Sequence, residues 1–326
     1  MKLVIQIPCF NEAQSLPHAI PQLPRAVPGC DVVEWLVIDD GSDDDTAAIA
    51  TSLGVDRVVR HPINRGLAAA FMTGLESAIA AGADIIVNTD ADNQYDARDI
   101  ETIVRPIVEG RAEMVIGARP IGDTEHFSVV KKRLQSLGSW VVRLASNTEV
   151  ADAPSGFRAF TREAAQRLNV FSSYTYTLET IIQAGHSNIR VLSVPVRTNP
   201  DLRPSRLVRS IGRYVWRSAS TIVRIFATYR PLMFFWLIAA FFVLLGGAFG
   251  GWYLVHMLAG EGAGHIQSAM IAAASTTVGL FAFLLGFVAD LLGVNRRLLE
   301  GIDWRVRQIE DAQSRNARAP ARDIAR

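Results

Sequence analysis

Cysteine is almost absent from this chain of 326 residues: Cys9 and Cys30 make no disulfide framework and have no metal-ligand spacing around them. This scarcity favours a reducing compartment for the soluble part. The six histidines are scattered, so no Ser/His/Asp or Cys/His arrangement stands out. The formal net charge is only +1 and indicates no nucleic-acid partner. The apolar run at 3–7 is stopped by Pro8 and is too short for a secretory signal, so none is expected.

Short β-branched runs alternate with helical segments through the first 200 residues. The runs predicted as strands are 3–7, 35–38, 57–59, 85–88, 114–116 and 191–194. They are continuously apolar, a pattern typical of parallel strands covered by helices on both faces. Helices are predicted between them, for example at 66–81 and 96–108. The alternation predicts an α/β doubly wound domain over residues 1–200, with ligands beyond the carboxyl ends of the strands.

The composition becomes basic between residues 201 and 230. No acidic residue follows Asp201 in this stretch, which contains Arg203, Arg206, Arg209, Arg213, Arg217, Arg224 and Arg230. The arginines at 206, 209, 213 and 217 share one face of a helix. The segment predicts an interfacial helix on anionic lipid, and the alternative is a solvated basic face of a soluble helix.

Two long apolar stretches follow, at 232–257 and 266–294. Each exceeds the roughly 20 residues that a helix needs to span a bilayer, so we predict a transmembrane hairpin over 231–295; two buried core helices are the alternative. Arginines lie before the first stretch and after the second, and none lies in the short connection between them. This asymmetry predicts that the α/β domain, the charged tail at 296–326 and both termini are cytoplasmic. Glycines at 246, 247, 250 and 251 suit close helix packing and a homo-oligomer.

The most informative polar segment is Asn88-Thr89-Asp90-Ala91-Asp92-Asn93-Gln94, directly after an apolar run. Two carboxylates placed so closely repel each other unless a cation lies between them. Mg²⁺ is usually bound by one or two carboxylates together with substrate phosphates. The segment therefore predicts a site for Mg²⁺ or Mn²⁺ that bridges the protein and a diphosphate. A structural turn or helix cap is the alternative, because Asp is common in both.

Three other segments lie at predicted strand ends. Asp39-Asp40-Gly41-Ser42 can accept hydrogen bonds from a base edge or from ribose hydroxyls, and it also fits a helix N-cap. Phe10, within Pro8-Cys9-Phe10-Asn11-Glu12, can stack on a base. Asn64-Arg65-Gly66 opens a helix of small residues that suits close packing against the sheet or a ligand.

An amphipathic helix is predicted at 127–146. Its apolar stripe consists of Val130, Leu134, Leu137, Val141 and Leu144, and its basic residues are Lys131, Lys132, Arg133 and Arg143. Such a helix is typical of a membrane surface, where Lys132 and Arg133 could meet an anionic phosphate group. The alternative is a core helix of the soluble domain with a solvated basic face.

The five motifs occur together in one order: Pro8-Cys9-Phe10-Asn11-Glu12, Asp39-Asp40-Gly41-Ser42, Asn64-Arg65-Gly66, Asp90-Ala91-Asp92-Asn93-Gln94 and Ser155-Gly156-Phe157-Arg158. In this combination the chain resembles a family 2 glycosyltransferase of the GT-A fold, in the branch of the dolichyl-phosphate mannose synthases. The resemblance extends over roughly residues 2–230. It implies a Rossmann-like, mostly parallel sheet, followed by interfacial helices and the membrane hairpin.

The resemblance also implies roles for individual residues. The nucleotide-sugar would be bound by Pro8, Phe10, Glu12, Ile38, Asp40, Asp90, Ala91, Arg119 and Arg206. The metal ligands would be Asp90, Asp92 and Gln94. The acceptor would be bound by Lys132, Arg133, Ser136, Ser155, Gly156, Phe157 and Arg158. Catalysis would depend on Asp92, Arg119 and Arg158. The family often has lysine where this chain has Arg206.

The implied reaction is metal-dependent transfer of a sugar, with inversion, from a UDP- or GDP-sugar to a polyprenyl phosphate. An acceptor phosphate is already an anion near neutral pH, so it needs no strong base. A neutral lipid acceptor would need one, and Asp152 is a candidate. A sugar nucleotidyltransferase needs a glycine-rich phosphate loop, which 8–12 is not. A non-catalytic membrane scaffold is the remaining alternative.

Overall fold

The computed structural model describes residues 1–120, 143, 146, 148–170, 176–199, 220, 223–224 and 226–318. Its strands are β1 Lys2–Cys9, β2 Val32–Asp39, β3 Arg57–Arg60, β4 Ile85–Asn88, β5 Met114–Ala118, β6 Arg158–Thr161 and β7 Val191–Pro195. Its helices are α1 Leu16–Ala19, α2 Thr46–Ser52, α3 Leu67–Ala80, α4 Ile100–Val108, α5 Arg162–Arg167, α6 Thr177–His186, α7 Pro231–Leu258 and α8 Ile266–Arg318. Short 3₁₀ turns occupy Ile20–Gln22, Ala97–Asp99 and Gly262–His265.

The strands form a single sheet in the order β3-β2-β1-β4-β6-β5-β7. Every pairing is parallel except those of β6, which runs antiparallel between β4 and β5. All six predicted strands are present, and β6 is the one that the apolar runs did not predict. Its sequence, Arg-Ala-Phe-Thr, is too short and too polar to form such a run. The mostly parallel α/β sheet is confirmed.

Helices cover both faces of the sheet, because alternate strand residues point to opposite sides. On one face, Gln6 and Ile38 lie against Gly74 of α3, where a methyl group would come within 3 Å of each side chain. On the other face, Ile5 and Ile103 of α4 belong to one buried cluster. Complete burial of an apolar side chain such as Ile5 or Ile38 stabilises the folded state by about 1.5–3 kcal/mol. The helices packed on the two faces therefore hold the strand ends in place.

A second compact unit spans residues 216–299 and contains α7 and most of α8. The most apolar 18-residue windows of the two helices have mean hydropathies of 2.4 and 2.1, and only 11% and 17% of each window is buried. Core helices of a soluble domain would be mostly buried, so both helices have the length and exposure expected of membrane spans. The second helix does not end at the predicted 294 but continues to Arg318, because the charged stretch is rich in good helix formers.

Glycines bring the two long helices together within this unit. A methyl group on Gly246 would lie 2.4 Å from Thr276 Oγ1, and one on Gly279 would lie 2.9 Å from Val243 Cγ2. Gly247, in contrast, has no atom of the described residues within 4 Å of such a methyl group. Part of the predicted glycine face therefore serves the hairpin itself, and the homo-oligomer stays a prediction.

Candidate active site

The carboxyl ends of the six parallel strands and the first residue of β6 meet at one edge of the sheet. The register pairs Cys9 with Asp39 across β1 and β2, and Asn88 with Arg158 across β4 and β6. The polar segments predicted from the sequence directly follow these ends. This edge therefore gathers the first four motifs and the loop that precedes β6.

Asp90 and Asp92 lie in the turn after β4. The Asp92 carboxylate accepts a hydrogen bond from the Gln94 backbone N–H (3.1 Å). Among the described residues, no donor bonds to the Asp90 carboxyl. Burial, followed by the negative charge of Asp92, raises the pKa of Asp90 to about 7, although Arg119 and Arg158 act in the opposite direction. The turn therefore concentrates negative charge that the nearby arginines only partly offset.

This turn fits a divalent cation of the magnesium type. The described residues contain no cluster of three or more His, Cys, Asp or Glu side chains that could hold a metal. A structural metal site with a full set of protein ligands is therefore not present in that part of the chain. Two carboxylates are enough for Mg²⁺ or Mn²⁺ when substrate phosphates and water supply the remaining oxygen ligands. The assignment of Gln94 as a third ligand stays a prediction.

Arg119 directly follows β5 and is bound to a carboxylate that the sequence did not link to it. Its Nε donates to Asp152 Oδ2 (2.7 Å) and its Nη2 donates to Asp152 Oδ1 (3.1 Å). Asp152 is 1% exposed, whereas 20% of the Arg119 side chain is exposed. Burial is the largest single influence and lowers the pKa of Arg119, but the hydrogen bonds with Asp152 and the charges of Tyr95, Asp152 and Asp90 together raise it. Arg119 is thus a permanent cation held in a fixed orientation.

Arg158 opens β6 and is completely buried. Its guanidinium donates to the carbonyl oxygens of Ser155, Thr177 and Ala153, each at 2.8 Å, and to Thr180 Oγ1 at 2.6 Å. Burial lowers the pKa of Arg158 to about 10, which leaves it charged at neutral pH. The side chain therefore ties the loop at 153–157 to the beginning of α6. Its predicted contact with the acceptor stays a prediction.

A buried polar network connects this loop to the turn with the two carboxylates. Asn88 Nδ2 donates to the Gly156 carbonyl (2.8 Å) and to the Tyr176 hydroxyl (3.0 Å), and the Gly156 N–H donates to the Tyr95 hydroxyl (3.1 Å). A methyl group on Gly156 would lie 2.8 Å from that Tyr176 oxygen and 3.0 Å from Asp90 Oδ1. Glycine thus allows the loop to pass directly beside the Asp90 carboxyl.

The other residues of the predicted acceptor loop face inwards. Ser155 and Phe157 are both fully buried. The Phe157 ring stacks on Tyr95 with centroids 4.9 Å apart. Both side chains are packed inside the protein, and their predicted contact with the acceptor stays a prediction.

Asp40 is the centre of a second polar cluster, at the ends of β2 and β3. Its Oδ1 accepts from the Arg65 backbone N–H (2.9 Å) and lies 2.7 Å from His61 Nδ1, and its Oδ2 accepts from the Gly66 N–H (2.8 Å). His61 Nε2 lies 3.0 Å from Thr73 Oγ1 on α3. Asp40 therefore fixes the loop at 61–66, and its predicted contact with the nucleotide remains a prediction.

The remaining predicted nucleoside residues differ in exposure. Phe10 is 38% exposed, as a side chain that stacks on a base must be. Pro8, Glu12, Ile38 and Ala91 are buried. Ile38 packs against Gly74 of α3, and its predicted contact with the nucleotide stays a prediction. Lys132, Arg133, Ser136 and Arg206, and most of the predicted interfacial helices at 127–146 and 201–230, lie outside the described residues.

Several residues of the site were not predicted. They are His61, Asn88, Tyr95 and Tyr176, and Asp152 was considered only as a base. Asn88 carried a signal, because a polar amide ends a strand that is otherwise apolar. Tyr176 carried none, since it reaches Asn88 only through the tertiary fold.

Comparison with known proteins decides the family. The model of the family described as Glycosyl transferase family 2 matches residues 4–168, just over half of the chain. The chain belongs to glycosyl transferase family 2. This glycosyltransferase is 28% identical over 213 residues to UDP-N-acetylglucosamine–dolichyl-phosphate N-acetylglucosaminyltransferase of Methanococcus voltae, across 59% of this chain and 83% of the relative. It is 27% identical over 206 residues to polyprenol monophosphomannose synthase of Mycolicibacterium smegmatis, across 60% and 76%.

A solved structure confirms the fold of the glycosyltransferase. Glucosyl-3-phosphoglycerate synthase from Mycobacterium tuberculosis, in complex with Mn²⁺, UDP and glucosyl-3-phosphoglycerate, matches with a TM-score of 0.53 at 20% sequence identity. The match covers 69% of this chain and 79% of that one. The predicted GT-A architecture is confirmed, and the predicted class of enzyme follows from the family.

Proposed function

We propose that this glycosyltransferase moves a sugar from a UDP- or GDP-sugar to a polyprenyl phosphate, with inversion at the anomeric carbon. The observation that carries the proposal is the pair Asp90 and Asp92 at the strand edge, with Arg119 oriented close by. Such a pair suits the diphosphate of a nucleotide-sugar. The two named relatives support the acceptor class, since their names specify dolichyl-phosphate and polyprenol.

A divalent ion, Mg²⁺ or Mn²⁺, would neutralise the donor diphosphate and stabilise the charge that develops on the departing nucleoside diphosphate. Asp90 and Asp92 would hold it, with Gln94 as the predicted third protein ligand. Arg119 adds a fixed positive charge whose orientation needs no reorganisation during the reaction. Asp152 maintains that orientation by binding two nitrogens of the guanidinium.

A phosphate acceptor needs no general base from this site. It is already anionic near neutral pH, since the second pKa of a phosphomonoester is about 6. Attack on the anomeric carbon from the side opposite the leaving group then inverts the sugar. The predicted acceptor residues Lys132, Arg133 and Ser136 would hold that anion in line, and such positioning supplies much of the rate.

A lipid with a neutral hydroxyl is the second candidate acceptor, and one observation disfavours it. It would need a general base, for which Asp152 was the candidate. Both carboxylate oxygens of Asp152 already accept hydrogen bonds from Arg119, and the residue is 1% exposed. A base must reach the proton that it abstracts, and Asp152 is buried in a fully formed ion pair.

We further propose that the enzyme is an integral membrane protein with its catalytic domain and both termini in the cytoplasm. The apolar helices α7 and α8 are long enough to span a bilayer. The basic segment at 201–230 precedes the first of them, and Arg296 and Arg297 follow the apolar part of the second. The connection between them contains Glu261 and no Lys or Arg, which supports a location on the opposite side of the membrane.

The deciding experiment offers a panel of radiolabelled UDP- and GDP-sugars to membranes that carry the protein, with a polyprenyl phosphate and Mg²⁺ or Mn²⁺. We expect one donor to give a labelled, mild-acid-labile lipid extractable into organic solvent. Membranes carrying Asp92→Ala are the control and should give none. Label in a product that is stable to mild acid would indicate a different acceptor bond. Absence of label from every donor, with no nucleotide binding, would favour the scaffold.

A further inference from the structure

The segment that follows β7 runs beside the turn that contains Asp90 and Asp92. Thr198 forms an antiparallel bridge with Tyr95. On either side of this bridge, the Asp96 N–H donates to the Arg197 carbonyl (3.3 Å), and the Asn199 N–H donates to the Gln94 carbonyl (2.9 Å). The turn is therefore paired along its outer edge with residues about one hundred positions away in the sequence.

The Asn199 side chain reaches further into the same turn. Its Nδ2 donates to the Asn93 carbonyl (3.0 Å) and to the Tyr95 carbonyl (3.3 Å). One side-chain amide thus binds the carbonyls on both sides of Gln94. An amide nitrogen has two hydrogens, so it can satisfy both acceptors at once.

The turn has a conformation that needs such support. Asn93 has a φ of +59°, in the left-handed region that L-residues other than Asn, Asp and Gly rarely adopt. Within the turn, Asp92 Oδ1 accepts a hydrogen bond from the Gln94 backbone N–H. Asn199 binds the carbonyls of Asn93 and Tyr95. The backbone from Asp92 to Tyr95 is therefore held by two side chains, those of Asp92 and Asn199.

We propose that Asn199 is a positioning residue for the cation site: it holds the backbone that follows Asp92 in the conformation that lets Asp90 and Asp92 converge on one ion. The proposal rests on the function proposed above. The side chain of Asn199 donates to backbone carbonyls of the turn, and we do not assign it as a ligand of the ion. It acts through the carbonyls of Asn93 and Tyr95, in the manner of outer-sphere groups that orient metal ligands.

A variant of the nearby Arg197 can distinguish this role from simple attachment of the segment that follows β7. Arg197 binds Asp99 through its backbone N–H (2.6 Å) and its guanidinium Nη2 (2.6 Å). This contact holds the same segment to the 3₁₀ turn before α4 and does not involve the carbonyls around Gln94. Arg197→Lys therefore weakens the attachment and leaves the Asn199 amide in place, which makes it a matched control.

The test measures Mn²⁺ binding to the purified full-length protein in the presence of UDP and, separately, of GDP, by calorimetry and by the Mn²⁺ paramagnetic resonance signal. We expect Asn199→Ala and the near-isosteric Asn199→Leu to weaken Mn²⁺ binding by about tenfold, which is typical of outer-sphere changes. Arg197→Lys should bind Mn²⁺ within about twofold of wild type, since the backbone N–H of residue 197 still donates to Asp99 and the Asn199 amide is unchanged. In turnover, the Asn199 variants should need more Mn²⁺ but recover the wild-type kcat at saturation, with the acceptor KM unchanged.

The outcomes are distinct. Wild-type affinity in both Asn199 variants, with binding abolished in Asp92→Ala, would overturn this inference and leave the cation site intact. Equal losses in Asn199→Ala and Arg197→Lys would also overturn it, because they would indicate general loosening of the segment. A kcat that saturating Mn²⁺ does not restore would have the same consequence. Absence of Mn²⁺ binding by wild type would overturn the cation site itself, and this inference with it.

Discussion

At the scale of single residues, Asp90 is a carboxylic acid whose pKa is raised to about 7, well above its usual value. The cause is physical: burial disfavours the charged form, and Asp92 adds a second negative charge close by. Neither arginine of the site forms a hydrogen bond with the Asp90 carboxyl, because Arg119 is bound to Asp152 and Arg158 to backbone carbonyls. The protein thus leaves this charge for a ligand to neutralise.

This pKa predicts that binding of Mn²⁺ releases a proton at neutral pH. The raised value means that Asp90 is mostly protonated below pH 7, and the ion must displace that proton. Apparent affinity should therefore be constant above about pH 8 and fall by about tenfold per unit below pH 7. Calorimetry at pH 6, 7 and 8, in buffers of different ionisation enthalpy, measures the affinity and the protons released. An affinity independent of pH over this range, with no proton release, would contradict the assignment.

Arg158 leads to a prediction about stability. Arg158→Lys replaces a planar donor group that binds four oxygens with an ammonium group that cannot match this geometry. We expect the free energy of unfolding to fall by about 3 kcal/mol or more, because hydrogen bonds from charged groups contribute about 1.5–3 kcal/mol each to stability. Thermal unfolding in detergent would show this as a lowered Tm. Arg105→Lys, in an exposed pair with Glu101, is the control and should change little. An unchanged Tm with a raised acceptor KM would instead indicate direct contact between Arg158 and the acceptor.

At the scale of elements, the loop at 153–157 and the turn after β4 act as one structure. Gly156→Ala tests this, because its methyl group would lie 2.8 Å from the Tyr176 hydroxyl and 3.0 Å from Asp90 Oδ1. Either the loop or the carboxyl must move, and displacements of this size in an active site reduce rates by about a hundredfold. We expect kcat to fall by about that factor while the Tm changes by only a few degrees. Gly247→Ala, with no described atom near its methyl group, is the control.

The elements themselves were largely predictable from sequence. Continuous apolar runs identified β1 to β5 and β7 because parallel strands buried on both faces require them. The predicted helix at 66–81 corresponds to α3, Leu67–Ala80, and its N-cap Gly66 has a φ of +92° that favours glycine. β6 was missed because a central antiparallel strand of four residues leaves no periodic signal. α8 was cut short in the prediction because only its apolar part has the composition of a span.

The site was predictable in outline only. The motif at the end of β4 pointed to Asp90 and Asp92, and the family resemblance implied Arg119; all three follow strand ends at one edge of the sheet. The partners Asp152, Tyr176 and Asn199 come from distant parts of the chain, and no spacing along the sequence reports such contacts. Likewise, Asp40 and Arg158 were recognised as important, but the sequence could not show that their side chains bind the protein's own backbone.

At the scale of the whole molecule, the distribution of positive charge predicts the orientation in the membrane. Cys30→Ser leaves Cys9, which is buried, as the single native thiol. A cysteine introduced at Ala263 or at Gln313, both exposed, then reports the side of the membrane. We expect an impermeant maleimide to label Ala263→Cys in intact cells and Gln313→Cys only after permeabilisation. Labelling in the reverse pattern would contradict the cytoplasmic placement of the termini.

The antiparallel pairing of β5 with β6 has a consequence for how such enzymes diversify. Ile116 lies opposite Arg158 in the register, so the end of β5 and the start of β6 are neighbouring points of the sheet. The entropic cost of closing a loop increases only slowly with its length. The flanking strands therefore constrain the length and sequence of the connection between β5 and β6 only weakly. Most residues predicted to bind the nucleotide-sugar precede this connection, whereas Arg119 is its first residue and Arg206 follows it. On the function proposed above, we therefore expect the part of this connection after Arg119 to differ between glycosyltransferases with different acceptors more freely than the strands that flank it.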